Sequence, residues 1–284
     1  PLPLMPPPSS ALYAERTTLP PLPPEPSLWE SFRIQLRVIG ALLIREALTR
    51  YGRHNIGFLW LFAEPMLFTL GVTVIWNLIG AHKGDNVNIT EFVLTGYSTV
   101  LLWRNMPGRC IMAIQPNYDL LFHRQVKPID IFLSRCLLEA AGATMSFFIL
   151  AVIFHSLGLV RAPYDLLQLA GGWLLLVWYA MSVSLLAGAV SERTEVIEKV
   201  WHILMYLMIP LSGSFFMLQM FPPEVRSILL WIPTVSCAEI VREGYFGPVI
   251  TSYFDVGYVV VFNSLVMLFA MVQVRIVGRN VTPV

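Results

Sequence analysis

Six runs of about twenty or more mostly apolar residues occupy roughly half of this chain, at Ile56–Ile79, Phe92–Ile114, Ile129–Leu159, Leu166–Val190, Val200–Leu218 and Val256–Val277. A run of that length, wound as an α-helix, matches the hydrocarbon thickness of a bilayer. Lipid offers backbone amides no hydrogen-bond partner, so each run must satisfy its own by coiling. The sequence therefore predicts an all-α integral membrane protein with six transmembrane helices. Composition agrees: charged residues are 13% of the chain, against about 25% in soluble domains. A net charge of +1 gives no reason to expect nucleic acid as a partner.

Orientation follows from where the basic residues lie. With the N-terminus inside, the cytoplasmic segments hold Arg16, Arg33, Arg37, Arg45, Arg50, Arg53, Arg124, Lys127, Arg135, Arg193, Lys199, Arg275 and Arg279. The opposite side holds only Lys83, Arg161, Arg226 and Arg242. Basic residues in short flanks stay cytoplasmic, so both termini are expected inside. Residues 1–27 contain ten of the 21 prolines and read as an extended, mobile tail. No charged-then-apolar leader is read there, so insertion is expected to use the internal helices themselves. Cys110, Cys136 and Cys237 are odd in number, widely spaced and without a CxxC pattern. They read as small apolar side chains rather than a metal or redox site.

Between tail and first span, residues 28–54 place Trp29, Phe32, Leu36, Ile39 and Leu43 on one helical face, with Arg33 and Arg37 to its other side. A basic amphipathic helix joined to a span is expected to lie in the headgroup plane, with Arg50 to His54 at the corner. Two other segments stand out. The connector 115–128 is longer than antiparallel helices need, and Pro116 and Pro128 bracket a short piece that Asn117 could cap. Such a piece suits docking to a soluble partner, although a positively charged topogenic loop is the plainer reading. Segment 219–250 is apolar but broken by prolines. It is expected to form a short helix ending at Pro233 and a second starting at Ser236, whose Ser-x-x-Glu spacing to Glu239 matches a capping box. Two half-length helices on one face form a re-entrant hairpin, which suggests a pore mouth.

Ionisable residues inside spans are costly and usually face a partner or a cavity. Arg104 and Arg109 stand about one and a half turns apart in the second span, with Trp103 beside the first and Glu64-Pro65 in the first span. Two readings stand: each arginine pairs with a carboxylate such as Glu64 or Glu139, or together they line a path for an anionic substrate. The chain has no GxxxxGK[ST], HExxH or GxSxG pattern, and its five histidines are scattered. No catalytic residue and no metal site is predicted. A transferase acting on lipid-linked sugars would have to draw an acid–base pair from Glu64, Glu139, Glu239 and Glu243. A secondary transporter would normally show an internal repeat of its spans, and none is seen.

Thr49 to Trp60, continuing through Glu64-Pro65, together with Leu121-Phe122-His123-Arg124-Gln125-Val126-Lys127-Pro128-Ile129-Asp130, resembles the inner-membrane permeases of type-2 ABC exporters. Within these, the match is nearest to capsular polysaccharide export permeases of the KpsM type, with O-antigen or teichoic acid export as the alternative. The resemblance covers about residues 28–280 and implies a six-helix ABC-2 domain over 55–280. It further implies a homodimer exporting a lipid-linked, anionic polysaccharide across the bacterial inner membrane. The canal residues would be Arg104, Arg109, Trp103, Tyr97 and Glu64. A separate ATP-binding cassette ATPase, two copies per dimer, would bind ATP and Mg, and this chain would bind no cofactor. Segment 115–128 becomes the coupling helix, with Tyr118, Asp119, Leu121, Phe122, His123, Arg124 and Lys127 at the ATPase. Segment 219–250 becomes an external gate with Pro233, Ser236, Glu239 and Tyr245. A periplasm-spanning polysaccharide co-polymerase and an outer-membrane exporter are implied as further partners. The proline-rich tail departs from the family pattern.

Overall fold

The computed structural model describes residues 27–51, 55–80, 87–122 and 125–281. The tail up to residue 26, the corner residues Gly52 to His54, Lys83, His123 and Arg124 lie outside the described residues, as do the expectations that fall on them. The regular structure among the described residues is helical, with no strand among them. The α-helices are α1 Leu28–Tyr51, α2 Asn55–Ile79, α3 Ile89–Cys110, α4 Pro128–Ser156, α5 Leu166–Ser191, α6 Glu195–Met208, α7 Pro223–Leu229, α8 Pro233–Phe246 and α9 Val256–Val281.

Among the described residues, α2, α4, α5 and α9 are long and apolar enough to cross a membrane. The second and fifth predicted spans differ from that group for separate reasons. α3 is long enough but carries Glu91, Arg104 and Arg109, and it is almost wholly buried from Thr90 to Trp103. Its ends shift toward the N-terminus of the expected run because the Asn88 side chain accepts from the Thr90 amide and caps it there. α6 stops at Met208 after 14 residues, about 21 Å of helix against the roughly 30 Å of a bilayer core. Pro210 has no amide to continue the ladder, and Gly213 turns the chain at φ +81°.

The core is built around α5, which touches α3, α4, α8 and α9, while α1 lies against α4 and α2. α5 and α8 approach backbone to backbone at Gly244, where a Cβ would fall 2.4 Å from the Leu169 amide nitrogen. α8 is the element that hydropathy least anticipates, being buried along nearly its whole length. It starts at Pro233, not Ser236; proline suits a first helical turn, and the Ser236 hydroxyl is buried without a partner instead of capping. Gly247 ends it at φ +58° with its amide on the Glu243 carbonyl.

The break after α6 is held by α8. Arg242, with no exposed surface, donates from Nη1 to the carbonyls of Gly213 and Phe216 (both 2.5 Å) and from Nη2 to that of Ser214 (2.7 Å). Its guanidinium also stands 4.5 Å from the Phe92 ring centroid and 3.8 Å from Glu239. Glu239 accepts from the Leu218 amide (3.2 Å) and the Tyr253 amide (3.4 Å). A buried charge is tolerable only when paired and hydrogen-bonded, and here the partners are backbone groups left over by irregular chain. Removing one member of such a buried pair costs about 3–5 kcal/mol. Arg242→Met is therefore expected to lower the unfolding free energy of the detergent-purified chain by about 3–5 kcal/mol, and its unfolding midpoint with it. An unchanged midpoint would show that the clamp contributes nothing.

Candidate functional site

The residues that sequence reasoning singled out fall mainly in three places: a cleft beside α3, the connector after it, and the α8 clamp. The cleft, about 210 Å³ and open at one side, lies between α2, α3 and α6. Glu64 reaches it from α2, Arg104 and Arg109 from α3, and Trp201, His202 and Tyr206 from α6. Three of the five predicted canal residues are thus brought together. Trp103 and Tyr97 are not on this lining; they are 3% and 7% exposed. Trp103 belongs to the core, and Tyr97 packs edge-on against Phe215 and Trp76. For Trp103 the reason is helical phase: adjacent residues point about 100° apart, so when Arg104 faces the cleft Trp103 faces inward, whereas Tyr97, about two turns from Arg104 on the same face, is covered by Trp76 and Phe215.

The two arginines differ in what they already hold. Arg109 Nε lies 3.3 Å from Glu139, the pairing that the sequence had left as one of two readings. Glu139 also takes Arg50 from α1, and Glu46 of α1 takes both Arg50 (3.0 Å) and Arg135 (3.2 Å). Arg135 in turn donates to the Arg109 carbonyl at 2.8 Å. This network joins α1, α3 and α4, and in it Arg135 and Glu139, four residues apart on α4, hold partners on other helices. Arg104 has no ion-pair partner among the described residues; its guanidinium rests 4.8 Å from the Tyr206 ring centroid. The buried indole N–H of Trp201 is also without a partner. An unneutralised cation, an idle donor and aromatic walls can hold an anionic, hydroxyl-bearing ligand.

The connector folds as a 3-10 helix, Gln115–Phe122, not an α-helix. Asn117, expected to cap it, is buried and makes cross-links: it donates to the Ala113 carbonyl (2.8 Å) and accepts from Arg45 of α1 (2.6 Å). Just before it, the Met112 amide donates to the Ser191 hydroxyl (3.0 Å) and the Ile114 amide to Glu192 (2.7 Å), both at the end of α5. Burial pushes the Glu192 carboxyl up from the usual range, and the Ile114 amide pulls the other way. Leu121 points into the core, whereas Tyr118, Asp119 and Phe122 are exposed, the two rings packed edge to face at 5.6 Å. At the far end Pro128 opens α4, and Asp130 accepts from the Lys127 amide (2.8 Å) and from Gln35 of α1. The connector is therefore a small aromatic surface mounted on three helices.

The residues expected at an external gate sit in or beside the α8 clamp. Glu239 is half of the clamp, and Tyr245 donates to the Arg161 carbonyl at 2.9 Å, tying α8 to the α4–α5 loop. Sequence reasoning missed Arg242, counting it only as a charge on the outer side. The one available signal was its spacing of three from Glu239 in an apolar segment. Of the four carboxylates from which a transferase could draw an acid–base pair, Glu64 is in the cleft, Glu139 in the ion network, and Glu239 in the clamp, committed to Arg242 and two backbone amides, with Glu243 one turn further along α8. Among the described residues no group of three His, Cys, Asp or Glu side chains could hold a metal ion.

Comparison with known proteins gives this arrangement a context. Residues 37–246 match the family model described as ABC-2 type transporter. The chain is 39% identical over 257 residues to the capsule polysaccharide export inner-membrane protein CtrC of Neisseria meningitidis serogroup B, covering 90% of this chain and 97% of that protein. It is 38% identical over 254 residues to BexB of Haemophilus influenzae, which carries the same description, covering 89% and 96%. The polysialic acid transport protein KpsM of Escherichia coli is 29% identical over 238 residues, covering 84% and 92%.

The phase of α3 is directly testable, because the three native cysteines are all buried. In a chain with these replaced by alanine, Arg104→Cys is expected to react with a polar maleimide at least about tenfold faster than Trp103→Cys. Equal rates would place both residues on the same side of the helix.

Proposed function

Because this chain belongs to the ABC-2 type transporter family, we propose that it is the membrane-embedded permease of an ATP-driven exporter that moves capsule polysaccharide across the inner membrane. The observation that carries this reading is the extent of the match. Relatives described as capsule polysaccharide export inner-membrane proteins align over about nine-tenths of the chain. The description of a third relative names polysialic acid, an acidic polymer. The unpartnered Arg104 in an aromatic cleft supports an anionic substrate here as well. In this reading Arg104 is the main contact and Arg109, shared with Glu139, a secondary one.

The proposal counts six crossings: α2, α3, α4, α5, α9, and α6 continued by the clamped stretch Ile209–Leu218. The thirteen-to-four distribution of basic residues supports cytoplasmic termini. Two copies would form the canal between them, each bearing a separate ATPase that binds ATP and Mg. Support for that partner comes from the family and from the lack of a phosphate-binding loop in the sequence. The exposed Tyr118, Asp119 and Phe122, on a connector fixed at both ends, form the proposed docking point. The segment 219–250 is proposed as the outer gate, α7 and α8 being its two short helices. A lipid-linked substrate, a periplasm-spanning co-polymerase and an outer-membrane exporter complete the proposed system.

Co-expression with the ATPase encoded beside it tests the assignment. A purified complex of two permeases with two ATPases is expected. The double variant Tyr118→Asp, Phe122→Asp is expected to lose the ATPase and keep the folded permease. Arg104→Ala is expected to keep the complex and lower export by about tenfold, the worth of a charge-assisted hydrogen bond. A permease that purifies alone whatever the state of the connector would overturn the docking assignment. Equal loss of ATPase and export in Arg104→Ala would overturn the substrate assignment.

A further inference from the structure

Where the first turn of α4 meets the last turns of α9, an open groove of about 380 Å³ is rimmed by Lys127, Arg275 and Arg279 and floored by Pro128, Met271 and Val274. Met271, Arg275 and Arg279 follow one another at intervals of four, so one row of α9 presents an apolar residue and then two cations. The helices come close at Gly278, where a Cβ would lie 3.6 Å from Pro128 Cγ, and this brings Lys127 to the same rim. All three cations are exposed, and none has an ion-pair partner among the described residues. The groove lining contains no carboxylate. Asp130, the acid beside this corner, is buried, and its oxygens accept from the Lys127 amide and from Gln35.

Three like charges around one groove repel one another, and nothing in the lining offsets them. An anion would. The apolar floor asks for more than a hydrated ion, since Met271, 41% exposed, is left to be covered by hydrocarbon. α4 and α9 are both bilayer-length helices, and the groove lies at their ends, the depth at which headgroups sit. Lysines and arginines near span ends often reach singly for the headgroup layer. Here cations from two helices converge on one cavity. We propose that this groove binds one acidic glycerophospholipid, its phosphodiester between Lys127, Arg275 and Arg279 and the start of an acyl chain along Met271.

The inference requires only that the chain sits in a membrane, and it stands or falls apart from the substrate and the ATPase. Native mass spectrometry of the full chain in mild detergent, titrated with phosphatidylglycerol or phosphatidylcholine, reads it without any export assay. One phosphatidylglycerol retained per chain, with phosphatidylcholine much weaker, is expected. The variant Lys127→Gln, Arg275→Gln, Arg279→Gln is expected to weaken phosphatidylglycerol on the order of 100-fold, from about fivefold per charge near an anionic headgroup. The charge-preserving variant Lys127→Arg, Arg275→Lys, Arg279→Lys is expected to retain it. Should the triple neutral variant not fold, Arg279→Gln alone reads the same change at about fivefold. Equal retention of the two lipids, unaltered binding in the neutral variants, or displacement of the lipid by inorganic phosphate would each overturn the proposal.

Discussion

The arrangement depends on a guanidinium placed where hydrocarbon would be expected. After α6 the chain leaves helical geometry over residues 209–217, and the carbonyls of Gly213, Ser214 and Phe216 would stand without partners in the protein interior. Arg242 supplies donors to all three. Three residues earlier on α8, Glu239 supplies acceptors to the amides of Leu218 and Tyr253. Each half of the pair thus satisfies backbone of the polarity that the other cannot, and each reduces the cost of burying the other. Irregular backbone is admissible in such a protein only where protein shields it. The clamp meets that condition, and the close α5–α8 contact at Gly244 and the fit of Gly96 against the Ser214 carbonyl follow from it.

At the opposite end of α3 the organising interactions are ionic. Glu46 and Arg50 on α1, Arg109 on α3, and Arg135 and Glu139 on α4 form one network, and Arg45 extends the grip of α1 to Asn117 in the connector. The end of α5 holds the same connector through Ser191 and Glu192. A displacement applied at Tyr118 and Phe122 would therefore pass to three helices instead of being absorbed by a loose loop. Arg109 belongs to both regions, lining the cleft while bound to Glu139 and accepting Arg135 at its carbonyl. It is the shortest physical route between the proposed docking surface and the proposed substrate contact.

How much of this was legible beforehand depended on the range of the interaction. The spans that became α2, α4, α5 and α9 could be read because length and apolar character are local properties. The predicted Val200–Leu218 span departed from the helix because hydropathy does not register a missing amide at Pro210, and because the partner that makes the break tolerable, Arg242, lies 29 residues beyond Gly213. The Ser236 cap misled for a related reason: the spacing was right, but Glu239 was committed to backbone at Leu218 and Tyr253, which no window around Ser236 contains. Of the site, the grouping of Glu64, Arg104 and Arg109 was legible from the rarity of charge within spans. The inward turn of Trp103 required the phase of α3, which is set by packing against α4, α5 and α8.

Scarcity of charge makes that rarity informative. A chain with 13% charged residues has few ionisable groups inside its helices, and those that occur there can be sorted by what they already hold. Arg50, Arg109, Arg135, Glu46 and Glu139 hold one another, Arg242 and Glu239 hold backbone, and Arg226 donates to the carbonyls of Leu218 and Phe221. Of the cations lining the cleft and the groove, this leaves Arg104 over a tyrosine ring in the one and Lys127, Arg275 and Arg279 around the other. A fold gains little from a guanidinium that shares a cleft with Glu64 yet makes no ion pair with it, nor from three cations around a groove whose own lining holds no carboxylate. Such residues suit places where the compensating charge comes from outside the chain, and in a membrane permease the lipid headgroups and the proposed anionic polysaccharide are two such sources.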